Sequence, residues 1–315
     1  MNSFLFLIIG FVLLYFGGEF LVKGSVNLSS KLNISKLVAG MTIVSFATSS
    51  PELFVSIEAI FNESSDIVLG NIIGSNIANI ALVLGCTALF FNVKISEKTS
   101  KIDYPFLFFA TISVGYILYF LGEITFFIGI ILLMILLAYL FYILSNSKEQ
   151  INNEENNLDE IKKGSYISCI FFIISGIGLL KFGADFLVSS AIDIALLFNI
   201  EERIIAVTVV AIGTSVPELA TSIVAALKKE VDLAVGNIVG SNIFNLLAVL
   251  GITALFKNIE IMNREILSVD YLIMIFITII FGTFIYLFNK GDINKVKGGV
   301  LLFIYFSYIY FTTIS

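Results

Sequence analysis

The chain has 315 residues, 58% hydrophobic and 13% charged, with a net charge of −6 and a mean hydropathy of +1.01. That balance excludes a soluble domain and calls for many membrane-spanning helices. Its 18 basic residues are scattered in short loops, unlike a nucleic-acid footprint. With no histidine in the chain, the commonest catalytic base and transition-metal ligand are absent.

Apolar runs bounded by charged or turn residues predict ten spans. The first, 3–22, has no basic leader and contains Glu19, so it reads as a span and not as a cleaved signal. The second, 37–61, carries Ala47-Thr48-Ser49-Ser50-Pro51-Glu52. Pro51 lacks an amide hydrogen, so the helix should break around Ala47–Pro51 and release carbonyls from Ser45 to Thr48. A break facing lipid would be prohibitive, so it must line a cavity or lie inside protein. Thr48 and Glu52 are four apart and share a helix face. A carboxylate in hydrocarbon costs about 3 kcal/mol and marks a functional site by default.

The third span, 68–92, opens with Gly70-Asn71-Ile72-Ile73-Gly74-Ser75-Asn76-Ile77-Ala78-Asn79. Asn71, Ser75 and Asn79 form a polar stripe on one face, while Gly70 and Gly74 suit ordinary close helix packing. Asn71 reads as interhelical glue or a ligand, Ser75 and Asn79 as ion ligands. Spans four and five cover 104–121 and 124–145. Cys86 and Cys169 read as buried free thiols, without metal-ligand spacing.

The polar stretch 146–164 separates two halves, 1–145 and 165–315. In the second half, spans are predicted at 165–188, 203–227, 233–256, 270–288 and 298–314. Glu19 and Asp185, equivalent in the two halves, read as boundary or ion-pair residues, with Lys181 four before Asp185 and able to pair with it. The seventh carries Gly213-Thr214-Ser215-Val216-Pro217-Glu218, and the eighth Gly236-Asn237-Ile238-Val239-Gly240-Ser241-Asn242-Ile243-Phe244-Asn245. Asp66 and Asp232, before spans three and eight, read as helix N-terminal caps.

Both motifs therefore occur twice, 166 residues apart. Residues 10–85 laid on 176–251 match at 32 of 76 positions without a gap. Each copy owns an odd number of spans, so the second crosses the membrane in the opposite sense. The expected fold is an all-α membrane protein of ten helices, two inverted-topology five-helix repeats with helices two and seven broken, a design of secondary transporters. With the N-terminus outside, the inside loops hold 14 lysines and the outside loops 3 basic residues. The positive-inside rule then places both termini outside and the linker in the cytoplasm.

Carbonyls, hydroxyls and one carboxylate from each copy suit a hard cation, Ca²⁺ or Na⁺. At these residues the chain resembles the cation/Ca²⁺ antiporter superfamily, close to the prokaryotic sodium/calcium exchangers, over all ten spans. The resemblance implies exchange of Na⁺ for Ca²⁺ by alternating access in the cell membrane. It implies Glu52 and Glu218 as central carboxylates, and Thr48, Ser49, Thr214 and Ser215 as hydroxyl or carbonyl ligands. Ser45 and Ala211 correspond to carbonyl donors, and Ser75, Asn79, Ser241 and Asn245 complete the site. Many relatives carry aspartate where this chain has Asn245, and the linker is too short for the regulatory Ca²⁺-binding insertion of animal exchangers.

The expected protein is a Ca²⁺-extruding antiporter, not an enzyme. It is electrogenic if more Na⁺ charge than Ca²⁺ charge moves per cycle. Its substrates are Ca²⁺ and Na⁺, its surroundings the lipid bilayer, with no cofactor, no nucleic acid and a monomeric state. H⁺/Ca²⁺ exchange, K⁺-dependent exchange and a cation channel are the alternatives. An intramembrane protease is disfavoured by the lack of histidine.

Overall fold

Two helices of more than 30 residues pack along most of their length: α1 (Asn2–Leu32) and α7 (Tyr166–Leu197). Their seam is made of small residues seven apart. A Cβ on Gly10 would meet Leu187 and Gly183 backbone at 2.9–3.0 Å, one on Gly17 the Leu180 nitrogen at 2.7 Å, and one on Gly24 the Cys169 carbonyl at 2.9 Å. Both helices outrun their predicted spans, 3–22 and 165–188, by about ten residues. Their polar ends stay helical: Ser29 and Ser30 return their hydroxyls to the Val26 carbonyl, and Lys23 and Lys31 lie over the Phe172 and Tyr166 rings.

In this computed structural model the residues described are 2–147, 165–198, 213–287 and 291–314. The second span is a bent pair, α2 (Lys36–Thr48) and α3 (Ser50–Phe61), meeting at 42°. Then come α4 (Ser65–Phe90), α5 (Thr99–Leu121), α6 (Phe126–Ser145) and α7. After it the described helices are α8 (Val216–Leu227), α9 (Val231–Phe256), α10 (Ile266–Tyr286) and α11 (Lys295–Ile314). Seven of these are long and apolar enough to cross a membrane, and the bent pair makes eight. The first part of predicted span seven, with Ala211, lies outside the described residues, as does most of the linker.

The protein is all-helical apart from two short strand pairs. β1 (Val93–Lys94) pairs antiparallel with β4 (Asp292–Ile293), and β2 (Glu123–Ile124) with β3 (Ile259–Glu260). Burial sorts the helices into an inner and an outer set. The most apolar windows of α4 and α9 are 78% and 89% buried, against 28–39% for the other five single membrane-length helices. Phe109, Phe127, Phe141 and Phe303 leave large apolar faces pointing outward on the outer set, as lipid contact requires.

Helices α5 and α10 are joined by a reciprocal contact. Tyr104 donates to the Thr278 carbonyl at 3.1 Å, and Tyr271 to the Thr111 carbonyl at 2.6 Å. Each ring lies where the facing glycine, Gly282 or Gly115, leaves no room for a Cβ. Beside them the buried Asp103 accepts from Tyr139 at 2.8 Å, and Asp270 from Tyr308 at 3.0 Å.

One expectation holds in part and another fails. Glu19 is an ion-pair residue, with Lys228 at 2.8 Å, while Lys181 and Asp185 do not pair with each other. Asp66 does not cap α4. It accepts the amides of Met262 and Asn263 at 3.0 and 3.2 Å, a tertiary tie that offers it two donors at once.

The close approach of α2 to α9 supplies a stability test. A Cβ on Gly236 would sit 2.3 Å from the Leu37 carbonyl, whereas one on Gly299 meets nothing within 4 Å. Gly236→Ala is expected to destabilise by about 1–3 kcal/mol, seen as a lower Tm in detergent, while Gly299→Ala leaves Tm unchanged.

Candidate functional site

The break falls at Ser49, inside the predicted window. Pro51 occupies the first turn of α3, where its missing N–H costs nothing, and Pro217 does the same for α8. The carbonyl that Pro51 cannot serve, that of Ala47, is taken by the Ser50 hydroxyl at 2.8 Å. The Ser45 carbonyl, predicted to be released, keeps the Ser49 amide at 2.9 Å and receives the Thr48 hydroxyl at 3.4 Å. Ser49 and Ser215 hold the N-cap positions with near-identical backbone angles, φ −84° and −89°, and neither side chain caps its helix. Their hydroxyls are thereby left for other partners.

Those partners lie across the duplication. The Ser49 hydroxyl donates to Glu218 Oε1 at 3.3 Å, so the two copies of the first motif meet directly. Thr48 and Ser241 hydroxyls are 3.4 Å apart, and Thr214 and Ser75 hydroxyls 3.3 Å apart. Each broken helix is thus matched with the second motif of the other half. Asn76 donates to the carbonyl of Asn242, its own counterpart, at 3.3 Å. Counterparts in contact mark the axis that relates the halves.

At this junction buried polar atoms accumulate without partners. Glu52 and Glu218 are both 0% exposed. Both Glu52 oxygens and Glu218 Oε2 have no hydrogen bond, and neither carboxylate has an ion-pair partner among the described residues. The amide groups of Asn79 and Asn245 are wholly buried and wholly unbonded. So are the hydroxyls of Ser45 and Ser215, and the side-chain oxygens of Asn76 and Asn242. Most buried polar atoms in a native protein are satisfied, and each exception costs about 1–3 kcal/mol. So dense a cluster, chiefly of oxygens around two carboxylates, is what a site for a bare cation requires.

The helix backbone contributes as well. Glu52 and Glu218 lie in the first turns of α3 and α8, where the helix dipole favours negative charge. Asn79 and Asn245 each begin a π-helical stretch, Asn79–Leu84 and Asn245–Val249. These wider turns, frequent at functional sites, have no signature in the sequence.

Of the twelve residues predicted for the site, eleven are described, and they gather where α2, α3, α4, α8 and α9 meet. Ala211 is outside the described residues. Sequence reasoning missed Ser56 and Ser222, one turn beyond the glutamates. Asn71 donates to the Glu52 carbonyl and the Ser56 hydroxyl, both at 3.0 Å. Asn237 donates to the Glu218 carbonyl at 3.5 Å and the Ser222 hydroxyl at 3.1 Å. Their signal was present: both serines match at the same offset as the motifs.

Among the described residues no group of three or more His, Cys, Asp or Glu forms. The centre therefore holds two carboxylates in a shell of amides and hydroxyls, in the first turns of two helices inside a membrane protein. This is a transporter's arrangement. The chain belongs to the sodium/calcium exchanger protein family, whose sequence pattern matches residues 2–145 and 168–314, and to the prokaryotic-like part of the cation/Ca²⁺ antiporter superfamily. It is a membrane transporter and not an enzyme.

Among its relatives, a putative antiporter, CaxA, of Alkalimonas amylolytica is 33% identical over 312 residues, 97% of each chain. The sodium/calcium exchanger MaX1 of Methanosarcina acetivorans is 28% identical, over 98% of this chain and 97% of that one. The sodium-calcium exchanger NCX_Mj, soaked with Na⁺ and Ca²⁺, superposes with a TM-score of 0.82 at 27% identity, over 98% of both chains.

An unpartnered buried carboxylate destabilises its fold far more than a neutral amide of the same shape does. Glu52→Gln is therefore expected to melt no lower than the wild type in ion-free alkaline buffer. A Tm several degrees lower would mean that Glu52 has a structural partner.

Proposed function

We propose that the protein is a secondary-active antiporter exchanging Na⁺ for Ca²⁺ by alternating access. The observation that carries this reading is the pair of fully buried carboxylates with three of their four oxygens unbonded. Two glutamates supply −2, which one Ca²⁺ neutralises. Na⁺ competes for the same oxygens, so either ion relieves a burial cost that the empty site bears in full.

In this reading Glu52 and Glu218 are shared by the competing ions. Thr48, Ser49, Thr214 and Ser215 supply hydroxyl or carbonyl ligands, Ser45 and Ala211 carbonyls, and Ser75, Asn79, Ser241 and Asn245 the remaining contacts. Asn245 in place of a third carboxylate keeps the centre at −2. The similarity to MaX1, a sodium/calcium exchanger, supports Na⁺ as the coupling ion. The cycle is electrogenic and extrudes Ca²⁺, the working unit is a monomer, and no cofactor is needed.

The architecture proposed is ten spans in two inverted five-helix repeats, 1–145 and 165–315, joined by a cytoplasmic linker, 146–164. The strand pairs support the count. Pairing of β2 with β3 requires the loops after α5 and α9 to lie on one side of the membrane. Between them α6, α7 and α9 make three crossings, so the chain between α7 and α9 must supply a fourth. The Lys36–Glu230 ion pair, 2.7 Å, likewise requires α2 and α3 together to cross once. The element bounds repeat with the motifs: Ser50–Phe61 against Val216–Leu227, and Ser65–Phe90 against Val231–Phe256. The lysine distribution then places both termini outside.

Na⁺-loaded proteoliposomes diluted into Na⁺-free buffer should take up radiolabelled Ca²⁺, and faster with an inside-negative-to-positive shift that draws Na⁺ out. Glu52→Gln and Glu218→Gln should each abolish uptake while the protein remains monodisperse. Uptake driven by a pH gradient and indifferent to Na⁺ would replace Na⁺ by H⁺. A requirement for K⁺ would make the exchanger K⁺-dependent, and single-channel currents would make it a channel.

A further inference from the structure

The duplication is broken at two places in the site: Ser49 donates to Glu218 while Ser215 is unbonded, and the two asparagines Asn237 and Asn71 are bonded differently. Asn237 is fully buried in α9, and its amide uses both ends. Its nitrogen reaches Ser222 and the Glu218 carbonyl in its own half. Its oxygen accepts from the Thr48 hydroxyl of the other half at 3.0 Å and from Ser241 at 3.5 Å. Asn71, the counterpart, makes only the first of these arrangements. Its nitrogen reaches Glu52 and Ser56, but its oxygen receives no bond from Thr214, whose hydroxyl faces Ser75 instead.

We infer that Asn237 is a positioning residue for ion binding, coupling Thr48 of the first half to the Glu218 helix of the second through Ser222. The inference rests on the exchange reading above and deepens it, because neither Asn237 nor Ser222 is itself an ion ligand. The reasoning is one of satisfied against unsatisfied groups. Around Asn237 most polar atoms of the site are unbonded and free to turn towards an ion. Asn237 alone is saturated, with two donors on its oxygen and two acceptors for its nitrogen, so it is the fixed point of the cluster.

A Thr48 hydroxyl that donates to Asn237 keeps its lone pairs available, oriented for a cation. The same amide pins the first turn of α8 through the Glu218 carbonyl and Ser222, and so sets where the Glu218 carboxylate points. Removing Asn237 frees Thr48 to rotate and α8 to shift together. The loss therefore falls on affinity, at ligands of both halves at once, and not on the exchange rate at saturation. Asn71 lacks the cross-half bond, so its removal disturbs the ligands of one half only.

The test is a double-mutant cycle in proteoliposomes, reading the half-saturating Ca²⁺ concentration, the maximal rate and the Hill coefficient for Na⁺. Asn237→Ala is expected to raise half-saturating Ca²⁺ about tenfold, lower the Na⁺ Hill coefficient, and change the maximal rate less than twofold. Ser222→Ala should raise half-saturating Ca²⁺ about threefold, with Ser222→Thr, which keeps the hydroxyl, close to wild type. Because Ser222 acts through Asn237, the double variant should be no worse than Asn237→Ala alone.

Multiplying losses in the double variant, or unchanged Ca²⁺ affinity and Na⁺ cooperativity in Asn237→Ala, would overturn the inference. If Asn237→Ala does not fold, the Ser222→Ala and Ser222→Thr pair decides alone, and equal affinities in the two would overturn it. Wild-type protein without Na⁺-dependent Ca²⁺ flux would overturn the exchange reading, and the inference with it. Wild-type exchange with an unaltered Asn237→Ala would overturn the inference only.

Discussion

Two carboxylates buried in a membrane protein without a counter-charge among the described residues are the constraint on which the structure turns. Burying an isolated charge is among the costliest things a fold can do, and Glu52 and Glu218 are both fully buried. Everything nearby either limits that cost or prepares for an ion to remove it. The helix starts just after Ser49 and Ser215 put each glutamate in the first turn of a helix, on the positive end of its dipole. The close contacts Gly236–Leu37 and Gly240–Met41 bring α9 against α2, so that hydroxyls of one half face those of the other. The outer helices keep lipid and water away.

The same constraint accounts for the scaffold. A site made from two halves works only if the halves keep their register, and the ties between them come in related pairs. Tyr104 on Thr278 answers Tyr271 on Thr111. The β1–β4 pair on one side answers β2–β3 on the other. The ion pairs Lys36–Glu230 and Lys257–Glu63 add little stability individually, but they show which loops share a side. Against this paired background, two bonds lack an equivalent in the other half, that from Ser49 to Glu218 and that from Thr48 to Asn237.

Much of the site was legible because its residues are chemically out of place. Hydroxyls, a proline and a carboxylate in an apolar run located the first break to within two residues, and their recurrence at one offset singled out the candidate residues that the fold brings near one another. Features without that contrast were hidden. Ser56 and Ser222 look like packing serines, and only the bonds to Asn71 and Asn237 distinguish them. Asp103-Tyr104 and Asp270-Tyr271 recur at an offset of 167, one residue out of step with the motifs and beyond the compared window. The lengths of α1 and α7 were underread because hydropathy finds where a bilayer ends, not where a helix does. The two-residue strands are too short for any period, and the bond from Asp66 to the Met262 and Asn263 amides depends on distant backbone.

The central claim is that the unbonded oxygens of Glu52 and Glu218 are the seat of the divalent ion. Its most direct measurement is anomalous diffraction from crystals of this protein soaked in Sr²⁺, with and without competing Na⁺. One strong peak is expected to bridge the two carboxylates, at about 2.3–2.6 Å from their oxygens as for Ca²⁺, and to be lost when Na⁺ is raised. A Sr²⁺ peak elsewhere, with none between Glu52 and Glu218, would contradict it.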